Sequence, residues 1–268
     1  MSDFEKLYYE ADSFWNEGQL MDERNFNRIK ATAALIPADV NSLLDVGCGN
    51  GVFLNWLQEQ QTKIELTGTD RSAAALAYVK TKKVQSDIIE LPFGNGSFDC
   101  ISCLEVIEHL PVTVYEKALS ELVRVSRKYV VISVPFEENL EHAHTKCPNC
   151  KSVFNSDLHF RSFSETVFTN LLNEYGCRNI ISQQLGAYSR FRGHRLYKKI
   201  FFPEQLLAWN SPICPLCGYA EAETRQPALH AISHQKSSGL LSAIKSIPKT
   251  IWPQEKKNYW ILGLFEKC

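Results

Sequence analysis

The stretch Leu43-Leu44-Asp45-Val46-Gly47-Cys48-Gly49-Asn50-Gly51 decides the fold. A short run of Leu, Leu, Asp and Val is followed by three alternate glycines, and an apolar helical pattern resumes with Val52, Phe53 and Leu54. Glycine accepts left-handed backbone and lets the main chain approach a ligand, so these residues read as strand, tight turn and helix start. Alone, a Gly-x-Gly is an ordinary strand-to-helix turn. Its downstream context gives it weight: about 20 residues on, the run Ile64–Thr69 ends in Asp70, placed for a carboxylate to accept hydrogen bonds from both hydroxyls of a ribose. Asp87 comes after a third expected strand, where an adenine amine is within reach.

Working outward, strands are expected at 42–46, 64–69, 84–88, 98–104, 129–134 (ended by Pro135), 177–185 and 259–265. Helices are expected from Asn50, over Ser72–Lys80, over 113–126 and over Glu165–Tyr175, the last ending at Gly176. This alternation predicts an α/β fold, a parallel sheet covered by helices. Upstream, Phe4, Leu7, Tyr8 and Ala11, then Phe26, Ile29, Ala33 and Ile36, recur at helical spacing before Pro37, which suggests an N-terminal helical lid over residues 1–40. The core is read as 41–185 plus 258–268, interrupted by insertions at 136–160 and 186–257.

With Gly68-Thr69-Asp70, Ser86-Asp87-Ile88 and Phe98-Asp99 following the glycine turn, the chain resembles class I S-adenosylmethionine-dependent methyltransferases over residues 40–185 and the final strand. The resemblance implies a Rossmann-like seven-stranded sheet with its final strand antiparallel and helices on both faces. It implies S-adenosylmethionine as cofactor, with Asp45 and Gly47 at the amino-acid end, Asp70 at the ribose, and Asp87 with Ile88 at the adenine. Cys48, Gly49, Gly51, Arg71 and Glu105 complete the cofactor set. A nicotinamide dehydrogenase would place its last glycine three positions after the second; here it comes two positions after, and position 52 is Val.

Four of the nine cysteines form two like motifs, Cys147-Pro-Asn-Cys150 and Cys214-Pro-Leu-Cys217. Two such turns supply the four thiolates of a tetrahedral structural zinc site. Free cysteines or a redox pair are the alternatives, and neither explains why the same knuckle occurs twice. Cys48, Cys100, Cys103 and Cys177 lie in expected core elements and read as packing residues. In the topology that the resemblance implies, both insertions leave strands at the cofactor-facing edge, so a zinc-binding, basic cap over the substrate entrance is expected.

Downstream of the fourth strand, Glu105-Val106-Ile107-Glu108-His109, together with His159, resembles the divalent-metal site of ubiquinone-pathway O-methyltransferases and of small-RNA 2′-O-methyltransferases. The likeness implies Mg²⁺ or Mn²⁺ held by Glu105, Glu108, His109 and His159. The same segments occur in class I enzymes without that metal, and His109 is also the candidate general base. His142 and His144 are expected to be solvated loop residues.

The composition, 44% hydrophobic and 22% charged over 268 residues, is that of a globular chain. No apolar run reaches the ~20 residues of a membrane span, and the start Met-Ser-Asp-Phe-Glu lacks a signal-peptide core, so a cytoplasmic protein is expected. Residues 1–185 carry 17 Lys and Arg against 25 Asp and Glu, whereas 186–258 carry 11 against 4. Within the basic part, 188–199 interleaves aromatic and cationic side chains, a pattern that suits an anionic acceptor. A small molecule, a sugar, or a glycan or lipid-linked precursor is therefore the expected acceptor for O-methylation. RNA is the alternative, opposed by the acidic first 185 residues. Residues 239–247 are mildly amphipathic and suggest peripheral membrane contact. A different class, a catalytically inactive zinc-organised scaffold, is opposed by the intact turn and Asp70. The oligomeric state is not legible in the sequence.

Overall fold

A computed structural model describes residues 9–10, 15, 23–191, 207–209, 211, 214–219 and 254–268. The chain divides into two units: a core of 1–140, 158–186 and 258–268, and a second unit of 141–157 and 187–257.

The core begins with α1 (Glu23–Ala34) and then alternates β1 (Ser42–Val46), α2 (Val52–Glu59), β2 (Glu65–Asp70), α3 (Ala73–Leu76), β3 (Lys82–Gln85), β4 (Phe98–Leu104), α4 (Val112–Val125) and β5 (Ser126–Pro135). After the second unit's first segment, β6 (His144–Lys146) and β7 (Val153–Asn155), come α5 (Glu165–Thr169) and β8 (Cys177–Leu185). The chain then passes through β9 (Tyr188–Phe191) and β10 (Gln254–Lys257) and ends in β11 (Trp260–Lys267). Seven strands form one sheet in the order β3-β2-β1-β4-β5-β11-β8. β11 runs antiparallel between β5 and β8, while β1, β2, β3, β4 and β5 pair in parallel. The expected seven-stranded α/β sheet with an antiparallel last strand is therefore present.

Strand periodicity builds two apolar layers, because successive side chains point to opposite faces. On β1, Leu44 joins the layer of α4 residues Leu119 and Leu122 and of Phe163 and Phe168, while Leu43 joins Ile29 of α1 and Phe53 and Leu54 of α2. Cys100 and Ile101 divide in the same way, as do Val131 and Ile132. Phe163, Phe168 and Phe265 are fully buried, and truncating such a ring costs about 3–5 kcal/mol. Cys48, Cys100, Cys103 and Cys177 are buried among these layers.

Several elements are shorter or shifted relative to the sequence pattern. The third strand starts and ends earlier than 84–88. Rather than continuing to Lys80, α3 stops at Leu76, because Asn55 of α2 captures the chain: its Nδ2 donates to Tyr78 O and its Oδ1 accepts from Lys80 N. The 165–175 helix breaks into α5 and a 3₁₀ turn, Asn173–Tyr175, before Gly176 closes it in a left-handed conformation.

The second unit holds two small ribbons that the sequence pattern does not mark. One is the β6–β7 hairpin bearing the first cysteine pair; in the other, β9 pairs antiparallel with β10, joining the two ends of the long insertion. His144 opens β6, half-buried, and is not a solvated loop residue. Of the basic stretch, 188–191 form β9, while 192–199 and the amphipathic 239–247 lie outside the described residues. Among the described residues, no helix is long and apolar enough to cross a membrane.

Candidate active site

The parallel strands β1, β2, β4 and β5 all end at one edge of the sheet, and the site grows from the segments beyond those ends. After β1, Gly47 has φ +72° and donates its N–H to Thr69 O at 2.8 Å. A Cβ at Gly47 would lie 2.5 Å from Val106 Cγ2, so the turn of β1 and the end of β4 touch only because position 47 is glycine. Asp45 is 3% exposed and accepts a 2.6 Å hydrogen bond from Ser102 Oγ; burial pushes its carboxyl up to about 7. Cys48 is buried, its thiol packed where a Cβ on Gly68 would fall.

Asp70 ends β2. One of its oxygens accepts from Gly49 N and the other from Ser72 N, each at 2.9 Å. Burial raises its carboxyl above the usual range, while these two amides oppose the shift. An ionised carboxylate offers about four lone-pair positions, so two stay available to a diol. Asp87 sits past β3 with Oδ1 accepting from Ile89 N at 3.2 Å, and Ile88 is half-buried beside it. Ser86 N donates to Asp70 O, which ties this segment to the end of β2. These residues fit S-adenosylmethionine: a turn of three left-handed glycines, packed too closely by neighbouring side chains for any Cβ, and an anchored carboxylate beside it with positions left for a diol.

The N-terminal segment reaches the same turn. Tyr9 and Glu10 are helical; Tyr9 O accepts from Ser72 Oγ at 2.7 Å, and the Arg71 guanidinium lies 4.8 Å from the Tyr9 ring centroid. Trp15 donates its Nε1 to Tyr9 O, and its ring occupies the space a Cβ on Gly49 would need, 2.9 Å away.

Beyond β4, Glu105 adopts φ +58°, rare for a residue with a side chain. Its carboxylate accepts from Ser133 Oγ at 2.8 Å and from Trp260 Nε1 at 2.8 Å, with Arg28 Nη1 3.8 Å away. Arg28 comes from α1, lies 5.4 Å from the Trp260 ring centroid, and buries its Nε without a hydrogen-bond partner. No sequence motif marks Arg28, since only folding brings a helix residue so far upstream to this edge.

Glu108, His109 and His159 come together with ligand atoms all within 4.8 Å of one another. Glu108 is 1% exposed, and neither of its carboxylate oxygens has a hydrogen-bond partner. Burial, helped by the nearby Glu105 charge, pushes its carboxyl well above the usual carboxylate range. The imidazoles of His109 and His159 meet edge to face at 4.6 Å, and Phe160 N donates to Glu108 O at 2.9 Å. Glu105, expected as a fourth ligand, stands outside this cluster in the arginine–tryptophan network. Glu138, which no motif marked, pairs with Nδ1 of His159.

In the second unit, the Cys147, Cys150, Cys214 and Cys217 sulfurs also lie within 4.8 Å of one another. Cys147 and Cys217 are 3.7 Å apart and Cys150 and Cys214 3.8 Å. Disulfides would need about 2.05 Å, whereas four sulfurs about 2.3 Å from a tetrahedral zinc stand about 3.8 Å apart. The two knuckles repeat one backbone pattern. Lys151 N donates to Cys147 O and Gly218 N to Cys214 O, with Lys151 and Gly218 both left-handed; Cys147 N and Cys214 N donate to Ser152 O and Tyr219 O. The donor set and its spacing fit zinc.

The methyltransferase domain family matches residues 18–182. The chain belongs to that family. This methyltransferase is similar to an uncharacterized protein of Methanocaldococcus jannaschii, 34% identical over 98 residues that cover 34% of this chain and 40% of the relative. It is also similar to the ubiquinone biosynthesis O-methyltransferase of Vibrio campbellii, 28% identical over 124 residues, 41% of this chain and 52% of the relative. The chain thus spans about half the length, or less, of these curated relatives. In fold it matches S-adenosylmethionine-dependent methyltransferases of Thermotoga maritima (TM-score 0.53, 15% identity, 97% of this chain and 100% of that one) and Archaeoglobus fulgidus (TM-score 0.52, 17% identity, 95% and 99%).

Proposed function

We propose that this methyltransferase moves a methyl group from S-adenosylmethionine to an oxygen of a small-molecule or glycan acceptor, with a divalent cation held by Glu108, His109 and His159. The observation that carries the reading is Glu108, a buried carboxyl with both oxygens unpartnered, close to two imidazoles. A buried charge of this kind is tolerated when a cation or a proton compensates it. Two imidazoles and one carboxylate suit Mn²⁺ better than Mg²⁺, which prefers an all-oxygen set.

S-adenosylmethionine supplies an electrophilic methyl group, and the cation supplies Lewis acidity toward an acceptor hydroxyl. The chain's own residues provide position. Asp70 would orient the ribose, Asp87 and Ile88 would border the adenine, and Arg28, with a buried Nε–H left unpartnered, would hold the carboxylate end of the donor. As the acceptor oxygen bonds to the methyl carbon, the carbon–sulfur bond breaks, its electron pair stays on sulfur, and the hydroxyl proton passes to water. His109 is assigned to the cation and not to proton removal, because its ring packs on His159 within the cluster. The similarity to ubiquinone biosynthesis O-methyltransferases supports an oxygen acceptor. Acceptor selection falls to the two insertions, the second of them basic, which zinc on Cys147, Cys150, Cys214 and Cys217 organises.

The test is methyl transfer to a panel of polyhydroxylated small molecules and sugar nucleotides, before and after EDTA. Loss of transfer that Mn²⁺ restores is expected; full transfer in EDTA contradicts the cation.

A further inference from the structure

We infer that Glu138 is the positioning residue of the cation site, fixing the His159 imidazole so that its other nitrogen is the ligand. The inference rests on the cation reading of Glu108, His109 and His159. Its own observation is the hydrogen bond between Glu138 Oε2 and His159 Nδ1, made by side chains that are 21% and 12% exposed. When a carboxylate accepts the Nδ1 hydrogen of a neutral imidazole, the lone pair lies on Nε2, the nitrogen then open to a metal. A carboxylate behind an imidazole also makes the ring a stronger donor to a metal and locks its rotation.

The surrounding backbone is built to hold this pair. Glu138 follows β5 directly after Glu137, which has φ +44° and donates its N–H to Phe163 O at 2.9 Å. Phe136 and Phe163 form a parallel bridge across the same point. On the other side, His159 lies between Leu158, at φ +57°, and Phe160, whose N–H holds Glu108 O. Two segments far apart in sequence are thus pinned to each other immediately beside Glu138 and His159. Left-handed residues with side chains on both segments are strain of the kind that collects where side-chain aim matters. The carboxylate is not a ligand itself, since the cluster of mutually close ligand atoms contains Glu108, His109 and His159 without it.

Mn²⁺ binding, followed by electron paramagnetic resonance on the whole protein, tests the role. Wild type, Glu138→Ala, Glu138→Gln and His159→Ala are compared, and S-adenosylhomocysteine affinity is measured on each as a check that the cofactor site is intact. Glu138→Ala is expected to weaken Mn²⁺ binding by about 10–100-fold at unchanged S-adenosylhomocysteine affinity. Glu138→Gln keeps a hydrogen-bond acceptor without its charge and is expected to lose less, roughly threefold or more. Should the alanine variant fail to fold, the glutamine variant decides. Mn²⁺ affinity within about twofold of wild type in the deciding variant, with His159→Ala abolishing binding, overturns the role of Glu138 and leaves the cation reading standing. Absence of saturable Mn²⁺ binding in the wild type overturns both.

Discussion

Asp45 and Asp70 are both carboxylates at the glycine turn, and their partners set them apart. Asp70 has backbone amides on both oxygens, whereas Asp45 is held by one hydroxyl in a nearly dry pocket. With its carboxyl raised by burial to about 7, Asp45 favours the folded state when protonated. That contribution is complete below the unfolded value near 3.8 and is lost as pH rises through about 7. Asp45→Asn, neutral throughout, is therefore predicted to gain melting temperature over wild type, with a gain that grows from pH 5 to pH 8 in cofactor-free protein. An equal gain at every pH would show that Asp45 is not protonated in the fold. At this scale the sequence was informative where chemistry is local. The turn glycines, Asp70 and the Glu108–His109 pair could be named from spacing alone. Arg28 and Glu138 could not, because their meaning comes from Glu105, Ser133 and His159, which neighbour them only after folding.

The strands were the most legible elements, since the buried stretches of β1, β4 and β5 are rich in apolar residues broken only by single polar ones such as Asp45, Ser102 and Ser133. Less legible were elements shaped by tertiary capture. The alanine-rich α3 has helical propensity well past Leu76, yet Asn55 takes the backbone groups of Tyr78 and Lys80, and Val79 packs over Gly51. The short β6–β7 and β9–β10 ribbons lack the apolar alternation of a core strand, so the pattern did not mark them. The N-terminal helical segment carries its own expectation. Trp15 lies on Gly49, and Glu10 accepts from Ala73 N and Ala74 N at the start of α3. Trp15→Ala is predicted to speed release of S-adenosylhomocysteine by about tenfold, the loss of roughly one buried aromatic contact. Stopped-flow displacement measures it, and an unchanged rate would remove the segment from the cofactor site.

The whole molecule combines a core that depends on burial with a second unit whose described residues gather around four cysteines. In that unit the described residues offer one aromatic group, Phe154, Trp209 and Tyr219, and the four cysteines. A four-thiolate site couples metal binding to the folding of the segments that carry it. Purified protein is predicted to carry one zinc per chain, which Cys147→Ser or Cys214→Ser removes, as read by elemental analysis. The same variants should lose the transition of the second unit in a thermal scan while that of the core stays within a few degrees. Retention of one zinc in either variant would refute the shared site.

Everything proposed for this site requires that the glycine turn and Asp70 hold S-adenosylmethionine. Calorimetric titration of the wild type and of Asp70→Ala tests it most directly. The predicted result is one donor per chain on the wild type and a loss of about tenfold or more in affinity on removing a carboxylate bonded to both ribose hydroxyls. No binding to the wild type, or equal binding to both proteins, would contradict it.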